Sequence, residues 1–367
     1  MLIKFAVKNF RGFPDRIEWD LCSPSSYEFN TYAIKDGTIK NGIIYGPNGA
    51  GKTNFSLAIF DIVNHLSQKW KLPNYYNNFI YAGHADSTVD FEYTFRFGKQ
   101  TLQYNYSKNS NGVLVSESLC VDDNIIFQRD AQCFRIEGSQ FPMDSNTKYN
   151  LENNANNVSI VNFILISFPL NHDHYLIKLQ QFVGSMLWFR NLDVREFIGL
   201  ETGVTILDNY IISHDLLDDF ANFLYNISGQ HFQFEVSGPI DKQIVCRIGD
   251  KTIPFSRIAS TGTQSLHLLY FWIQRMKDAS FVFIDEFDAF YHYKLSFEIC
   301  KLLFNMDCQI FTSTHNTYLM TNELLRPDCY FILDKNRIRP LTKCTERELR
   351  EAHNIEKIYK AGAFDVE

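Results

Sequence analysis

Eight consecutive residues near the start of the chain have the spacing of a phosphate-binding loop. They follow the pattern G-x-x-x-x-G-K-T and are Gly46, Pro47, Asn48, Gly49, Ala50, Gly51, Lys52 and Thr53. Glycines allow successive backbone N–H groups to point at phosphate oxygens, and the N-terminus of a following helix adds partial positive charge. In such a loop the lysine binds the β- and γ-phosphates and the threonine hydroxyl binds Mg²⁺. The pattern therefore predicts a site for ATP and Mg²⁺.

The segments on both sides of the loop have the patterns that such a loop requires. Residues 42–45 are mostly apolar and predict a short buried strand, and residues 54–63 have the apolar spacing of a helix. A glycine-rich turn without a ligand is the alternative. It is the weaker hypothesis, because the specified positions occur in a strand–loop–helix context.

A pair of acidic residues follows an apolar run in the C-terminal part of the chain. Residues 280–284 predict a buried parallel strand, and Asp285 and Glu286 follow at the end where ligands bind in open α/β sheets. We expect Asp285 to hold Mg²⁺, directly or through water, and Glu286 to act as the general base for an attacking water. A strand with a solvated acidic end is the alternative, and the phosphate loop elsewhere in the chain argues against it.

Two further polar segments lie on either side of this strand in the sequence. Ser260 and Gly262 stand at the start of an amphipathic helix, where the N-terminus can bind an anion. His315 stands at the polar tip of a strand that begins at residue 309. Taken alone, Ser260 is better explained as a helix cap and His315 as a hydrogen-bonded histidine at a strand end.

The order of these segments resembles that of ABC-type ATPases, in particular the branch that contains SMC, RecF and OLD-like proteins. The resemblance implies that Ser260 and Gly262 belong to the signature motif, which contacts the γ-phosphate on the opposite subunit. It also implies that His315 is the switch histidine that senses this phosphate. Residues 1–13 alternate as a half-buried strand does and end in Asn-Phe-Arg, as in that branch. Arg11 is thereby implied to lie near the nucleotide, although a surface arginine in a turn is nearly as good an explanation.

The C-terminal segment resembles the ATP-binding proteins of bacterial phage-defence and abortive-infection operons. It carries the pattern R-x-x-x-N-I-x-x-x-Y-x-x-G at Arg350, Asn354, Ile355, Tyr359 and Gly362. Those ATPases usually act with a second polypeptide, so the resemblance implies an effector partner, a nuclease or toxin, from the same operon. An amphipathic helix that only packs on the core is the alternative.

Together these segments predict an α/β fold: an ABC-type P-loop nucleotide-binding domain with an antiparallel β flank and a compact helical insert. We expect an N-terminal part of the ATPase core over residues 1–130, a mainly helical insert over 131–230, and a C-terminal part of the core over 231–367. Residues 88–128 predict the strands of the flank, and 129–160 predict a loop or boundary. Helices are predicted at 176–189 and 215–227. Sustained heptads do not occur, so long coiled-coil arms are not expected.

Composition favours a cytoplasmic enzyme. The 367 residues are 45% hydrophobic, which allows a large core, and the net charge of −7 provides no general attraction for nucleic acid. Contact with DNA or RNA would therefore need a local patch or a partner. The eight cysteines form no C-x-x-C pair, which favours reduced thiols. We expect neither a signal peptide nor a membrane span, because the longest apolar segment, residues 158–170, is shorter than the about 20 residues a bilayer requires.

The chain has one phosphate loop and one signature, so the resemblance implies a homodimer or higher oligomer in which two chains enclose two ATP molecules. The first hypothesis is that ATP-gated dimerisation controls a partner effector in bacterial antiviral defence. The alternatives are a RecF- or SMC-like ATPase that acts in DNA repair or on DNA ends, and a nucleotide-dependent scaffold with little turnover. A neighbouring effector gene favours the first hypothesis, and turnover stimulated by DNA favours the second.

Overall fold

The structure is a computed structural model that describes residues 1–22, 24–153, 158–238, 242–334 and 337–364. Within these ranges the strands are β1 (Leu2–Lys8), β2 (Ile17–Asp20), β3 (Ile34–Lys35), β4 (Thr38–Ile39), β5 (Asn41–Tyr45), β6 (Val89–Phe97), β7 (Gln100–Lys108), β8 (Leu114–Val121), β9 (Asn124–Arg129), β10 (Phe134–Ile136), β11 (Met186–Arg190), β12 (Phe197–Gly199), β13 (Phe234–Ser237), β14 (Gln243–Ile248), β15 (Lys251–Pro254), β16 (Phe281–Asp285), β17 (Gln309–Ser313), β18 (Tyr330–Asp334) and β19 (Arg337–Pro340). The α-helices are α1 (Lys52–Ile59), α2 (Asp61–Leu66), α3 (Ser145–Glu152), α4 (Ile160–Ser167), α5 (Tyr175–Gly184), α6 (Leu207–Ser213), α7 (Leu217–Ser228), α8 (Phe255–Ile258), α9 (Thr261–Arg275), α10 (Tyr293–Phe304) and α11 (Ile355–Lys360).

The core sheet carries both the phosphate loop and the acidic pair. Its strand order is β12-β11-β16-β17-β5-β18-β19. The five central strands run parallel, and β12 and β19 are antiparallel at the two edges. Strands covered on both faces are expected to be apolar throughout, and every residue of β5 and β16 is buried. Because the central strands are parallel, their C-terminal ends meet along one edge of the sheet.

The second large sheet is the predicted antiparallel flank, with the order β10-β9-β8-β7-β6-β1-β2. Burial alternates along β6, as expected for a sheet with one face toward the core. The two sheets are joined by the Gln309 side chain at the start of β17. Its amide oxygen accepts from the Leu2 N–H at 2.9 Å, and its amide nitrogen donates to the Leu2 carbonyl at 2.9 Å. Trp19 on β2 adds an edge-on contact with Phe311 on β17.

The predicted helix over residues 176–189 is wrong in its second half. Helix α5 ends at Gly184, and Met186–Arg190 is β11, which pairs in parallel with β16. An apolar run of this length has no periodicity that separates a buried strand from a buried helix, so the ladder with β16 decides the outcome. The predicted helix over 215–227 is confirmed as α7.

The predicted loop over residues 129–160 is also partly wrong. It contains β10 and α3, and α3 begins after Asp144, whose carboxylate accepts from the Thr147 N–H at 2.8 Å. This side-chain cap stabilises a helix whose own sequence is mostly polar. Residues 154–157 of the predicted loop lie outside the described residues.

The strand order, the phosphate loop after β5 and the antiparallel flank confirm the predicted ABC-type P-loop fold. The division into three parts stays a prediction, although β11 and β12 from its middle part belong to the core sheet. The longest α-helix among the described residues, α9, has 15 residues. In the part of the chain that the structure describes, no helix combines the length and apolarity needed to cross a bilayer.

Candidate nucleotide-binding site

The phosphate loop connects β5 to α1 and is shaped by its glycines. Gly49 and Gly51 have φ angles of 81° and 94°, in a region that glycine enters without steric cost. A Cβ atom at Gly51 would lie 2.7 Å from the Phe13 ring, and one at Gly46 would lie 2.5 Å from the Leu333 carbonyl oxygen. The backbone is therefore confined on two sides. It leads into the N-terminus of α1, where the first N–H groups have no intrahelical acceptor and favour an anion.

The loop lysine is buried and bound to the loop itself. The Lys52 ammonium donates to the Gly46 carbonyl at 2.9 Å and the Pro47 carbonyl at 3.4 Å, and it lies 2.9 Å from Nε2 of His315. Burial lowers the pKa of Lys52. An ammonium has no acceptor, so Nε2 of His315 accepts and the imidazole carries its proton on Nδ1. Desolvation and the Lys52 cation lower the pKa of His315, in agreement with a neutral ring.

The carboxylate of Asp285 is the centre of the second half of the site. It is fully buried at the end of β16. Its Oδ2 accepts from the Thr53 hydroxyl at 2.7 Å, and its Oδ1 accepts from the Ser313 hydroxyl at 2.6 Å. The structure therefore joins the last residue of the phosphate loop, the acidic strand and the end of β17 around one carboxylate.

Arg190 also contacts this carboxylate and was not among the predicted site residues. Its guanidinium donates to Asp285 Oδ2 at 3.0 Å and to the Thr53 hydroxyl at 3.1 Å. Arg190 is the last residue of β11 and is opposite Asp285 in the parallel register. The sequence does show that Arg190 ends the apolar run of residues 186–189. This would have indicated a site residue only if the run had been predicted as a strand of the core sheet.

Glu286 follows Asp285 with an unusual backbone. Its φ angle is 49°, in the left-handed region that few non-glycine residues adopt. Its N–H donates to the Ser313 hydroxyl at 2.9 Å, so one serine binds both acidic residues. Backbone strain of this kind is concentrated at functional positions, and here it falls on the residue predicted to be the general base.

The donors at this edge fit Mg²⁺ and a polyphosphate. The Thr53 hydroxyl and the Asp285 carboxylate are hard oxygen donors 2.7 Å apart, and Mg²⁺ is commonly held by one or two carboxylates together with substrate phosphates. The α1 N-terminus and the Lys52 ammonium provide the matching charge for phosphate. When bound, Mg²⁺ would neutralise the charge that develops on the phosphate oxygens.

The predicted signature residues lie at the start of α9 and do not hydrogen-bond to the loop of the same chain. The Ser260 hydroxyl caps α9 by accepting from the Thr263 N–H at 3.2 Å. Among the described residues its side-chain hydrogen bonds go to Thr263 alone. Gly262 lies where a Cβ would approach the Phe290 carbonyl to 3.2 Å. Ser260 itself is exposed, so this helix terminus is accessible from outside the chain.

Arg11 lies beside the first turn of α1. Its guanidinium donates to the Asn54 side-chain oxygen at 3.3 Å and to the Tyr75 carbonyl at 3.2 Å. It also stands over the Phe10 ring at 5.4 Å, and burial lowers its pKa. Arg11 is therefore a half-buried arginine in a turn, next to the residue that follows Thr53, and its place near the nucleotide stays a prediction.

The C-terminal motif is placed next to the loop. Asn354 caps α11 by accepting from the Lys357 N–H at 2.8 Å, and Ile355 is fully buried. Tyr359 on the same helix lines a cleft of about 360 Å³ together with Pro47 and His315. The motif thus builds a helix that packs on the core and brings one tyrosine to the edge of the site.

Comparison with known protein families gives a match to part of the chain. Residues 217–321 match the family described as "AAA domain, putative AbiEii toxin, Type IV TA system". This is less than a third of the chain, and it includes Ser260, Asp285 and His315 but not the phosphate loop. No curated protein matches the chain.

Solved structures of low sequence identity also resemble this one. The SMC head domain from Thermotoga maritima is 15% identical, with 92% of this chain and 98% of that chain covered and a TM-score of 0.43. An SMC head bound to the C-winged helix domain of ScpA is 13% identical. The match covers 93% of this chain and 98% of that chain, with a TM-score of 0.48. The recombination mediator protein RecF is 14% identical. The match covers 93% of this chain and 98% of that chain, with a TM-score of 0.43.

Proposed function

We propose that this protein is an ATPase that binds ATP with Mg²⁺ and hydrolyses it to ADP and phosphate. The observation that carries the proposal is the convergence of three distant segments at one sheet edge. Lys52 and His315 lie 2.9 Å apart, and Thr53 and Asp285 are hydrogen-bonded at 2.7 Å. Each of these groups has a use in phosphoryl transfer.

Each residue has a proposed role that follows from its chemistry. Lys52 binds the β- and γ-phosphates, and Thr53 and Asp285 hold Mg²⁺. Glu286 accepts a proton from the attacking water, and His315 donates a hydrogen bond to the γ-phosphate. Arg11 supports the nucleotide side of α1, where it already contacts Asn54 at 3.3 Å.

We further propose that two chains assemble head to tail and that Ser260 and Gly262 of one chain complete the site of the other. The accessible N-terminus of α9 supports this, since its anion-binding end is not occupied by the phosphate loop of its own chain. ATP would then stabilise the dimer, and hydrolysis would allow it to dissociate.

The last part of the proposal is that ATP-gated dimerisation controls an effector in bacterial antiviral defence, in the cytoplasm. The family description, which names a putative AbiEii toxin, and the C-terminal motif support this role.

The test of the ATPase is phosphate release by the purified chain with Mg²⁺ and ATP, with and without DNA. We expect DNA-independent turnover that is lost in Lys52→Ala, and absence of turnover under all conditions would contradict the proposal. Strong stimulation by DNA would favour a repair ATPase. The defence role is tested separately by plaque counts on cells that carry the native operon with either the wild-type gene or Lys52→Ala, and equal counts would contradict it.

A further inference from the structure

The guanidinium of Arg190 lies between the two oxygens that are proposed to hold Mg²⁺. Its Nη2 atom is 3.0 Å from Asp285 Oδ2 and 3.1 Å from the Thr53 hydroxyl, and its Nε is 3.3 Å from the same carboxylate oxygen. The Asp285 side chain is fully buried, and the Arg190 side chain is 23% exposed. The arrangement is a buried carboxylate neutralised by an arginine on the neighbouring strand.

Arg190 and Mg²⁺ would compete for these two oxygens. Mg²⁺ demands oxygen ligands at about 2.1 Å in near-octahedral geometry, so a guanidinium hydrogen-bonded to the same carboxylate oxygen would stand only about 4 Å from the ion. Two cations at such separation repel strongly in a site of low dielectric constant. We infer that Arg190 is an internal competitor for the metal position and that it must leave Asp285 before Mg²⁺ can bind there.

A second carboxylate is available to receive the displaced side chain. The Arg190 Nη1 atom lies 3.8 Å from Glu196 Oε2, which is too long for a hydrogen bond but close enough for an ion pair. Among the described residues this Oε2 atom has no hydrogen-bond partner, and the Glu196 side chain is 40% exposed. The Glu196 carboxylate can therefore accept a charge-assisted hydrogen bond from the displaced guanidinium.

The backbone is arranged so that only the side chain has to move. The Arg190 N–H donates to the Glu196 carbonyl at 3.0 Å, which fixes the two residues opposite each other in the turn between β11 and β12. Arg190 therefore has two positions, one on Asp285 and one on Glu196. The second position frees the Asp285 and Thr53 oxygens for the metal.

The inference depends on the metal site of the proposed function, and the test uses Mn²⁺ alone as the probe. We would measure Mn²⁺ binding to the nucleotide-free full chain by electron paramagnetic resonance for wild type, Arg190→Gln and Glu196→Gln. Arg190→Gln should bind Mn²⁺ about tenfold more tightly, the scale of one hydrogen bond to a charged group. Glu196→Gln should bind it more weakly than wild type, because Arg190 loses its second position.

The matched control is Arg195→Gln, which removes the same charge from an exposed position on the same turn. It should leave Mn²⁺ affinity unchanged. Thermal unfolding gives a second readout. The melting temperature of Arg190→Gln should lie below that of wild type in EDTA and return to the wild-type value with Mn²⁺. A purely structural role of Arg190 would lower the melting temperature of the variant equally in EDTA and in Mn²⁺.

Equal Mn²⁺ affinity of wild type and Arg190→Gln, in a chain that hydrolyses ATP, would overturn this inference alone. If the wild-type chain and Arg190→Gln both fail to bind Mn²⁺ and wild type does not hydrolyse ATP, both the inference about Arg190 and the proposed metal site are wrong.

Discussion

The ammonium nitrogen of Lys52 and the Nε2 atom of His315 lie 2.9 Å apart, although 263 positions separate the two residues in the chain. The contact requires a neutral imidazole whose Nε2 accepts a hydrogen bond from the lysine ammonium. A phosphate at the loop would compete for the same ammonium. We therefore expect ATP to break this hydrogen bond, which would free His315 to turn its ring toward the γ-phosphate.

The first prediction concerns the loop lysine. Lys52→Ala removes the buried ammonium that neutralises phosphate charge, and we expect ATP affinity to fall by at least about tenfold, since hydrogen bonds to charged groups contribute about 1.5–3 kcal/mol. Calorimetric titration with ATP and Mg²⁺ measures this. Lys35→Ala is the control, because Lys35 forms an exposed ion pair with Asp307 at 2.8 Å. Unchanged affinity in Lys52→Ala would refute the phosphate-binding role.

The second prediction separates hydrolysis from binding. Glu286→Gln retains the shape of the side chain but removes the base, so we expect ATP affinity to be preserved and turnover to fall by about 10²- to 10⁴-fold. Sedimentation with ATP should then show an accumulated dimer. Glu298→Gln, which alters an exposed partner of Lys301, is the control. Native turnover in Glu286→Gln would show that another group is the base.

The third prediction tests whether the signature acts across the dimer. Lys52→Ala and Ser260→Arg should each be inactive alone, because each damages both composite sites of a homodimer. Mixed chains should recover activity, since a heterodimer then has one site with an intact loop and an intact signature. Phosphate release after confirmed subunit exchange is the measurement. A mixture as inactive as its parents would mean that the signature acts within its own chain or that both sites must act together.

The fourth prediction is a pH dependence that arises from His267 on α9. Desolvation lowers its pKa from 6.5 to about 4, and it packs against Phe220 at a ring distance of 5.0 Å. Asp208 Oδ1 lies 3.6 Å away, but the lowered pKa leaves the histidine neutral at pH 7, so this contact is not an ion pair there. The unfolded chain therefore binds a proton more readily than the folded one between pH 6.5 and 4.

Stability should accordingly fall as the pH decreases through this range, by up to about 3 kcal/mol at 1.36 kcal/mol for each pKa unit. Chemical unfolding at pH 7, 5.5 and 4 measures it. His267→Phe should lose less stability than wild type over this range, and His231→Gln, at an exposed histidine, should behave as wild type. An equal loss in His267→Phe and wild type would exclude His267 as the source.

Local sequence was sufficient to predict a structural feature wherever the residue pattern and its physical cause lie in the same segment. The loop around Lys52 needs glycines at set positions, and these are visible because glycine adopts the φ angles of Gly49 and Gly51 without the steric cost that other residues have. The flank was predictable for a similar reason, since period-2 alternation in residues 88–128 follows from a sheet with one face buried. The acidic end of β16 was visible as an apolar run that stops at two carboxylates.

The sequence alone did not determine which strand lies next to which. The segment Met186–Arg190 has no periodicity that distinguishes strand from helix, and only its parallel pairing with β16 makes it a strand. That pairing places Arg190 opposite Asp285, and so it adds a cation to the proposed metal position that no motif predicted. The same applies to the contact of Lys52 with His315. Hydrogen-bond partners far apart in the chain depend on sheet order and register, which are set by the packing of the whole core and not by any single segment.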